Sequence, residues 1–323
     1  MNAIEVSGLT KRYGQVTAVD GASFAVSRGE LFGFLGPNGA GKTTTINMLT
    51  GLARPDSGTI HVGGVDCTTD PKAAQHLTGV VPDESNLYPE LTGFENLTFC
   101  AALYGMRKAA RETRARELLN TFGLADAANR KFGGYSKGMK RKLTIAAGII
   151  HQPSILFLDE PTTGIDVATA RQIRQLIADL HRSGTTILLT THYIEEAERL
   201  CERIAFIVAG RIVRIDTVDA LMQPVQGRHM MLLSVSDGGQ SLCEGLAAAF
   251  DRLDFRPLPG ELVRVESAEP IRVGPLVRFL EDRGVEVTEA RKLRPSLEDV
   301  FVQVTDIEAD AMRREKEKAG GGR

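Results

Sequence analysis

The chain has little that would carry it into or across a membrane. No run of about 18 apolar residues appears, which is the length a spanning helix needs. The nearest approach, "LTIAAGIIHQPSILFL" at 143–158, is broken by "HQPS" and reads as a helix, a turn and a strand. The N-terminal "MNAIEVSGLTKRYG" has no apolar core of the signal-peptide kind. The expectation is a chain that stays on the cytoplasmic side and meets a membrane only through a partner. Cysteine is scarce: Cys67, Cys100, Cys201 and Cys243 lie scattered with no C-x-x-C pair. That argues against a disulfide framework and a zinc site, and leaves small buried thiols. The formal net charge is only −2, so no global positive field gathers nucleic acid, and none is an expected partner. Long heptad runs and internal repeats are missing too.

What is present is alternation of strand and helix signals. "IEVSGL" and "ASFAVSRGELFGFLG" read as strands, and the second run ends at a glycine-rich loop that opens the helix-like "KTTTINMLTGL". "GTIHVGG" is a further strand. From about Thr92 to Ala128 the signal is helical, with dense charge in "RKAARETRARELLN". "SILFLDE" and "TTILLTTH" are short apolar runs suited to buried parallel strands, with the helix "DVATARQIRQLIADLHRSG" between them. "RIAFIVAGRIVRID" reads as a hairpin. This order predicts an α/β fold over 1–222, with a helical subdomain at about 90–140. A linker at 223–227 follows, then a small α+β domain over 228–305 and a mobile charged tail at 306–323.

The glycine-rich loop carries chemistry. "GPNGAGKTT" fits G-x-x-x-x-G-K-[ST] and supplies Gly36, Pro37, Asn38, Gly39, Ala40, Gly41, Lys42, Thr43 and Thr44. Its backbone N–H groups and the following helix N-terminus suit the phosphates of a nucleotide, a feature that a GTPase, kinase or helicase would share. Lys42 is expected on the β- and γ-phosphates and the Thr43 hydroxyl on Mg²⁺. "ILFLDE" delivers Asp159 as a second Mg²⁺ ligand, and Glu160 beside it as the base for the attacking water.

Together with "YSKGMKRK" before the acid pair, "PTTGID" after it and His192 ending "TTILLTTH", this set resembles the ATP-binding cassette ATPases from Ile4 to about Leu221. The resemblance implies a P-loop ATPase core with an antiparallel β subdomain. Tyr13 matches the aromatic residue that stacks on adenine. Ser136, Lys137 and Gly138 match the signature, which caps the γ-phosphate of ATP held by an opposite subunit; Lys137 stands where the family has glycine. Asp166 matches the D-loop at the nucleotide sandwich, and His192 matches the switch histidine. In "GVVPDES", Asp83 stands where the family has its glutamine, and is expected near Mg²⁺ and the water, with Glu84 as the competing acid.

One phosphate loop per chain then implies a second copy of the chain as partner. "LRPSLEDVFVQVT" at 293–305 resembles the extension of cassette subunits from bacterial two-component exporters, in which a separate membrane permease is driven. The leading expectation is the motor of a drug-like or lipid-like exporter. Export of ions or polysaccharide, or a soluble ATPase acting on nucleic acid or the ribosome, remain alternatives.

Overall fold

The computed structural model describes residues 1–236 and 239–305. The expected mobile tail, 306–323, lies outside the described residues. The chain divides into a larger unit, with its main body at Met1–Val218, and a smaller one at Asp219–Gln303.

The larger unit starts with two long strands, β1 (Asn2–Tyr13) and β2 (Val16–Ser27), in which buried apolar residues alternate with exposed polar ones. The next strand, β3 (Leu31–Leu35), is "LFGFL" and buried throughout, as a strand covered on both faces must be. It runs into the phosphate loop and α1 (Lys42–Leu49). Then come β4 (Ser57–Val62), β5 (Val65–Asp66), α2 (Pro71–Leu77) and β6 (Thr78–Val81). The short helix α2 escaped the hydrophobic pattern. Its start is written in local chemistry instead, with the Asp70 side chain accepting from Ala73 N and proline opening the first turn.

The single helical signal of Thr92–Ala128 is two helices, α3 (Gly93–Leu103) and α4 (Lys108–Thr121), separated at Gly105, whose φ is +75°. A reciprocal pair of bonds between Thr92 and Glu95 caps α3. Fully buried Asn96, one residue on, pins the preceding loop. It accepts from Tyr88 N at 2.9 Å and donates to the carbonyls of Tyr88, Leu91 and Thr92. Asn96→Ala is expected to cost roughly 1–3 kcal/mol of stability and to speed amide exchange at Tyr88. Unchanged exchange there would show that the loop needs no such pin.

The unit closes with α5 (Lys137–Gly148), β7 (Ile155–Asp159), α6 (Val167–Arg182), β8 (Thr186–Thr191), α7 (Ile194–Leu200) and the hairpin β9 (Arg203–Val208) and β10 (Arg211–Thr217). The strands form two sheets. One is antiparallel, in the order β2-β1-β4-β5. The other runs β10-β9-β3-β8-β7-β6 and is parallel from β9 to β6, with β10 antiparallel at its edge. A core that includes Phe24, Phe32 and Phe34 joins them, the Phe24 and Phe34 rings meeting edge to face at 4.9 Å. Rings buried this fully contribute about 1.5–3 kcal/mol each.

Topology positions the site. Leu35 pairs with Thr191, Asp159 with Thr190, and Val81 with Leu158, so the carboxyl ends of β3, β8, β7 and β6 come out side by side on one edge. Ligands of open parallel sheets bind at that edge.

The smaller unit opens with α8 (Val218–Met222), and residues 223–227 continue in hydrogen-bonded turns rather than as an open linker. Its body is β11 (His229–Val235), α9 (Gln240–Ala249), β12 (Asp254–Leu258), β13 (Leu262–Ser267), α10 (Val273–Glu281), β14 (Val287–Leu293) and α11 (Leu297–Thr305). The sheet order β12-β13-β11-β14 with a β-α-β-β-α-β chain order is the ferredoxin-like arrangement. β12 contains Pro257, which a strand pattern does not suggest. Proline is tolerated there because β12 is an edge strand. The "PSLED" of the C-terminal motif is structural: Asp299 accepts from Ser296 N and Oγ and takes an ion pair from Arg264 on β13 at 2.6 Å.

Candidate active site

The phosphate loop is shaped by close backbone approaches. A Cβ on Gly36 would lie 2.1 Å from the Ile207 carbonyl, and one on Gly41, at φ +99°, would lie 2.3 Å from that of Ala18. No side chain fits either position, and the chain can curl there only as glycine. Pro37 and Asn38 form the outer curve, Ala40 N closes it on Pro37 O, and Gly39 has φ +76°. Gly41 caps α1 without a side-chain bond, which leaves the helix's first N–H groups open to an anion. Thr43 is exposed on that turn and Thr44 half-buried.

Lys42, though buried, is held in place. Its Nζ donates to Gly36 O at 2.8 Å and Pro37 O at 3.0 Å, and pairs with Glu160 Oε1 at 3.2 Å. The other oxygen of Glu160, Oε2, accepts from His192 Nδ1 at 2.7 Å and Thr163 Oγ1 at 2.9 Å. A deprotonated carboxylate can only accept, so the Nδ1 proton is on His192, and its buried Nε2 has no hydrogen-bond partner among the described residues. The three sequence-derived residues Lys42, Glu160 and His192 thus form one chain of contacts.

Glu160 has φ +48°, an uncommon backbone for glutamate, held by its N–H on Thr190 O at 3.1 Å. Burial pushes its carboxyl up, but the His192 bond and the Lys42 charge outweigh that and hold it below the ordinary glutamate value. Asp159, 3 % exposed, receives the Thr190 hydroxyl on Oδ1.

Asp83 keeps solvent contact at the rim. Even so, the surrounding protein and the Glu160 charge raise its carboxyl above the ordinary value, against the pull of Arg141. Its backbone carbonyl, rather than its side chain, is anchored, by Arg141 Nη1 at 3.1 Å. Asp83 and Glu84 both line a cleft of about 560 Å³ with Lys137, Arg141, Thr163 and Ile165.

The remaining predicted residues make local contacts of their own. Ser136 caps α5 by accepting from Met139 N at 3.3 Å. Lys137 reaches sideways: a Cβ on Gly164 would lie 2.3 Å from its Nζ. Gly138 is buried where a Cβ would meet Thr169 Cγ2 at 2.7 Å, so it sets the approach of α5 to α6. Asp166 caps α6, accepting from Thr169 N at 2.9 Å, a bond that lowers its carboxyl. Tyr13, 52 % exposed, carries Lys11 Nζ 5.3 Å from its ring centroid.

Sequence reasoning missed Arg141, Thr190, Thr163 and the buried Glu196, which accepts from Thr162 Oγ1 at 2.6 Å. Thr190 had a signal, as an inward hydroxyl in "ILLTTH". Arg141 had none, because "KGMKRK" looks like a solvated basic turn.

The site can be compared with known proteins. Residues 19–163 match the ABC transporter family model. The linearmycin resistance ATP-binding protein LnrL of Bacillus subtilis is 42 % identical over 72 % of this chain and 75 % of its own. The daunorubicin resistance ATP-binding protein DrrA3 of Streptomyces coeruleorubidus is 38 % identical over 98 % of this chain and 99 % of its own. A solved ATP-binding subunit of an ABC transporter aligns with TM-score 0.64 at 31 % identity, covering 69 % of this chain and 93 % of that one. Identity at this level, sustained along nearly the whole of both chains, makes the relation one of family: this chain belongs to the ABC transporter ATP-binding proteins, ATPases coupled to transport.

Proposed function

We propose that the chain is the motor subunit of a drug-like or lipid-like exporter, pairing with a second copy of itself and driving a separate membrane permease. The observation that carries the motor part of this reading is the Lys42–Glu160–His192 chain of contacts at the mouth of the phosphate loop. The ATP phosphates take the loop N–H groups from Gly36 to Thr44, and Lys42 exchanges its pairing with Glu160 for the β- and γ-phosphates. Glu160, released from Lys42 and still oriented by His192 and Thr163, accepts the proton of the attacking water. The water oxygen bonds to the γ-phosphorus as the bond from that phosphorus to the β–γ bridging oxygen breaks, which leaves ADP and phosphate. His192 Nε2 faces the γ-phosphate.

Among the described residues no cluster of three or more His, Cys, Asp or Glu forms a metal cage. A hydroxyl on Thr43, a carboxylate on Asp159 and the loop acid Asp83 fit Mg²⁺, which takes few protein oxygens and completes its shell with substrate phosphate and water. Mg²⁺ bound there neutralises charge on the transferring phosphate.

Several features support the partners. Ser136, Lys137 and Asp166 stand at the starts of α5 and α6, where the family's signature and D-loop serve another copy's nucleotide. Among the described residues, no helix is long and apolar enough to cross a membrane, so a transport role calls for another protein. A groove beside Pro82, lined by Leu52, Leu103 and Tyr104 with both leucines exposed, gives that protein an apolar seat next to the Asp83 loop. The relatives named for linearmycin and daunorubicin resistance favour a drug-like or lipid-like cargo.

The test is retention. Tagged chain drawn from detergent-solubilised membranes is expected to hold an integral membrane protein that raises its ATP turnover when reconstituted in vesicles. Asp83→Ala is expected to lose that stimulation, and stimulation equal to wild type would remove Asp83 from the coupling role. ATP turnover with no membrane protein retained would remove the exporter reading.

A further inference from the structure

Arg141 is not a residue that a phosphate site calls for, yet it is among the most heavily engaged side chains in the molecule. It lies on α5, one turn past Lys137, and is 6 % exposed. Its guanidinium forms no ion pair among the described residues. Instead it donates to four main-chain carbonyls. Nε reaches Pro161 O at 2.8 Å, Nη2 reaches Asp159 O at 2.7 Å, and Nη1 reaches Asp83 O at 3.1 Å and, closer still, Pro82 O.

These carbonyls belong to two segments whose pairing with each other has just ended. The pairing of β6 with β7 ends at Val81 opposite Leu158. Beyond it the chains diverge, one into the Asp83 loop and the other into the Asp159–Pro161 turn, and no ladder bond joins them. Arg141 spans that gap. A buried guanidinium is costly to desolvate, and only a full set of charge-assisted bonds offsets the cost. The carboxyls of Asp83, Asp159, Glu196 and Glu160 add an attractive field.

We propose that Arg141 is a positioning residue for ATP hydrolysis, fixing the backbone that carries Asp83 to the backbone that carries Asp159 and Glu160. One side chain of the Ser136 helix thereby sets how far the loop acid stands from the acid pair. Arg141 acts through these main-chain carbonyls and not on the reacting atoms. The inference rests on Glu160 being the base, as argued above.

The planar fork is what the geometry uses, with Nε and Nη2 on one segment and Nη1 on two carbonyls of the other. Lysine has one nitrogen and cannot reach both segments in the same way. In the full-length chain, Arg141→Lys and Arg141→Gln are compared with wild type for ATP turnover, ATP affinity and amide hydrogen exchange. A misplacement of about 1 Å costs up to about a hundredfold in rate. The expected result is a kcat lowered at least about tenfold, with KM and ATP affinity within about threefold and faster exchange confined to 83–88 and 160–163. In an Arg141→Lys background, Asp83→Ala is expected to cost little more, because the two act through one loop.

A kcat within about threefold of wild type, or fully additive losses in the double variant, would overturn the inference. So would ATP affinity falling in parallel with kcat while exchange rises throughout the unit, which marks general packing. Glu160→Gln is the control. If it turns over ATP normally, the reading of the base fails; if it is inactive while Arg141→Lys is fully active, only the positioning role fails.

Discussion

A Glu160→Gln variant is expected to hold ATP and barely hydrolyse it. Glutamine keeps the shape of the side chain, and its amide oxygen accepts from His192 Nδ1 and Thr163 Oγ1 as the carboxylate does. What it loses is the capacity to take a proton. General-base catalysis contributes about 10²–10⁴-fold, so phosphate release should fall by that factor. Affinity should hold or tighten. In the wild-type chain Glu160 Oε1 lies 3.2 Å from Lys42 Nζ, and nucleotide must separate that pair. A neutral amide binds Lys42 less tightly, so the lysine is released to the phosphates more readily. Equilibrium binding of a fluorescent ATP analogue and phosphate release on the same preparation separate the two effects. Turnover within about tenfold of wild type would remove Glu160 from the role of base.

Lys42→Ala is expected to do the reverse and abolish useful binding. The substitution removes a buried cation that three oxygens now hold, those of Gly36, Pro37 and Glu160. A hydrogen bond to a charged group contributes roughly 1.5–3 kcal/mol, so ATP affinity should fall about tenfold to a hundredfold. Stability should fall as well, because Glu160 stays buried with one countercharge gone; breaking buried pairs costs up to about 3–5 kcal/mol. The His192 bond limits that loss. At about 2–4 °C per kcal/mol, a drop of several degrees in Tm should be measurable. Unchanged affinity for ATP would count against the phosphate-loop assignment.

The parts of this site that could be read from the sequence are those whose chemistry is contiguous. "GPNGAGKTT" carries its loop, its lysine and its helix start within nine residues, and "ILFLDE" carries strand and acids together. His192 was legible because it ends a buried run, and the alternation of such runs gave the parallel core. Arg141 was not, because its partners are carbonyls as far as 59 positions away, and a carbonyl has no sequence signature. Asp83 was legible as an acid at a strand end, but its anchor is its backbone, which no residue identity reveals. Ser136 and Asp166 were read for nucleotide; on this chain alone they are helix caps, a role that serine and aspartate fill at any N-terminus. The strand β12 was hidden by its proline, which only the edge position makes tolerable.

The strand order has a further consequence, for the chain as it is made. β3, which leads into the phosphate loop, and β7, which ends in the acid pair, are not paired with each other; β8 lies between them and pairs with both. A nascent chain that has emerged through residue 160 therefore already owns Lys42 and Glu160 but has no scaffold to bring them together. Only when residues 186–192 arrive and insert does the sheet close, and that same strand delivers His192. One strand thus completes the site twice over, as the bridge between the phosphate loop and the acid pair and as the carrier of the histidine.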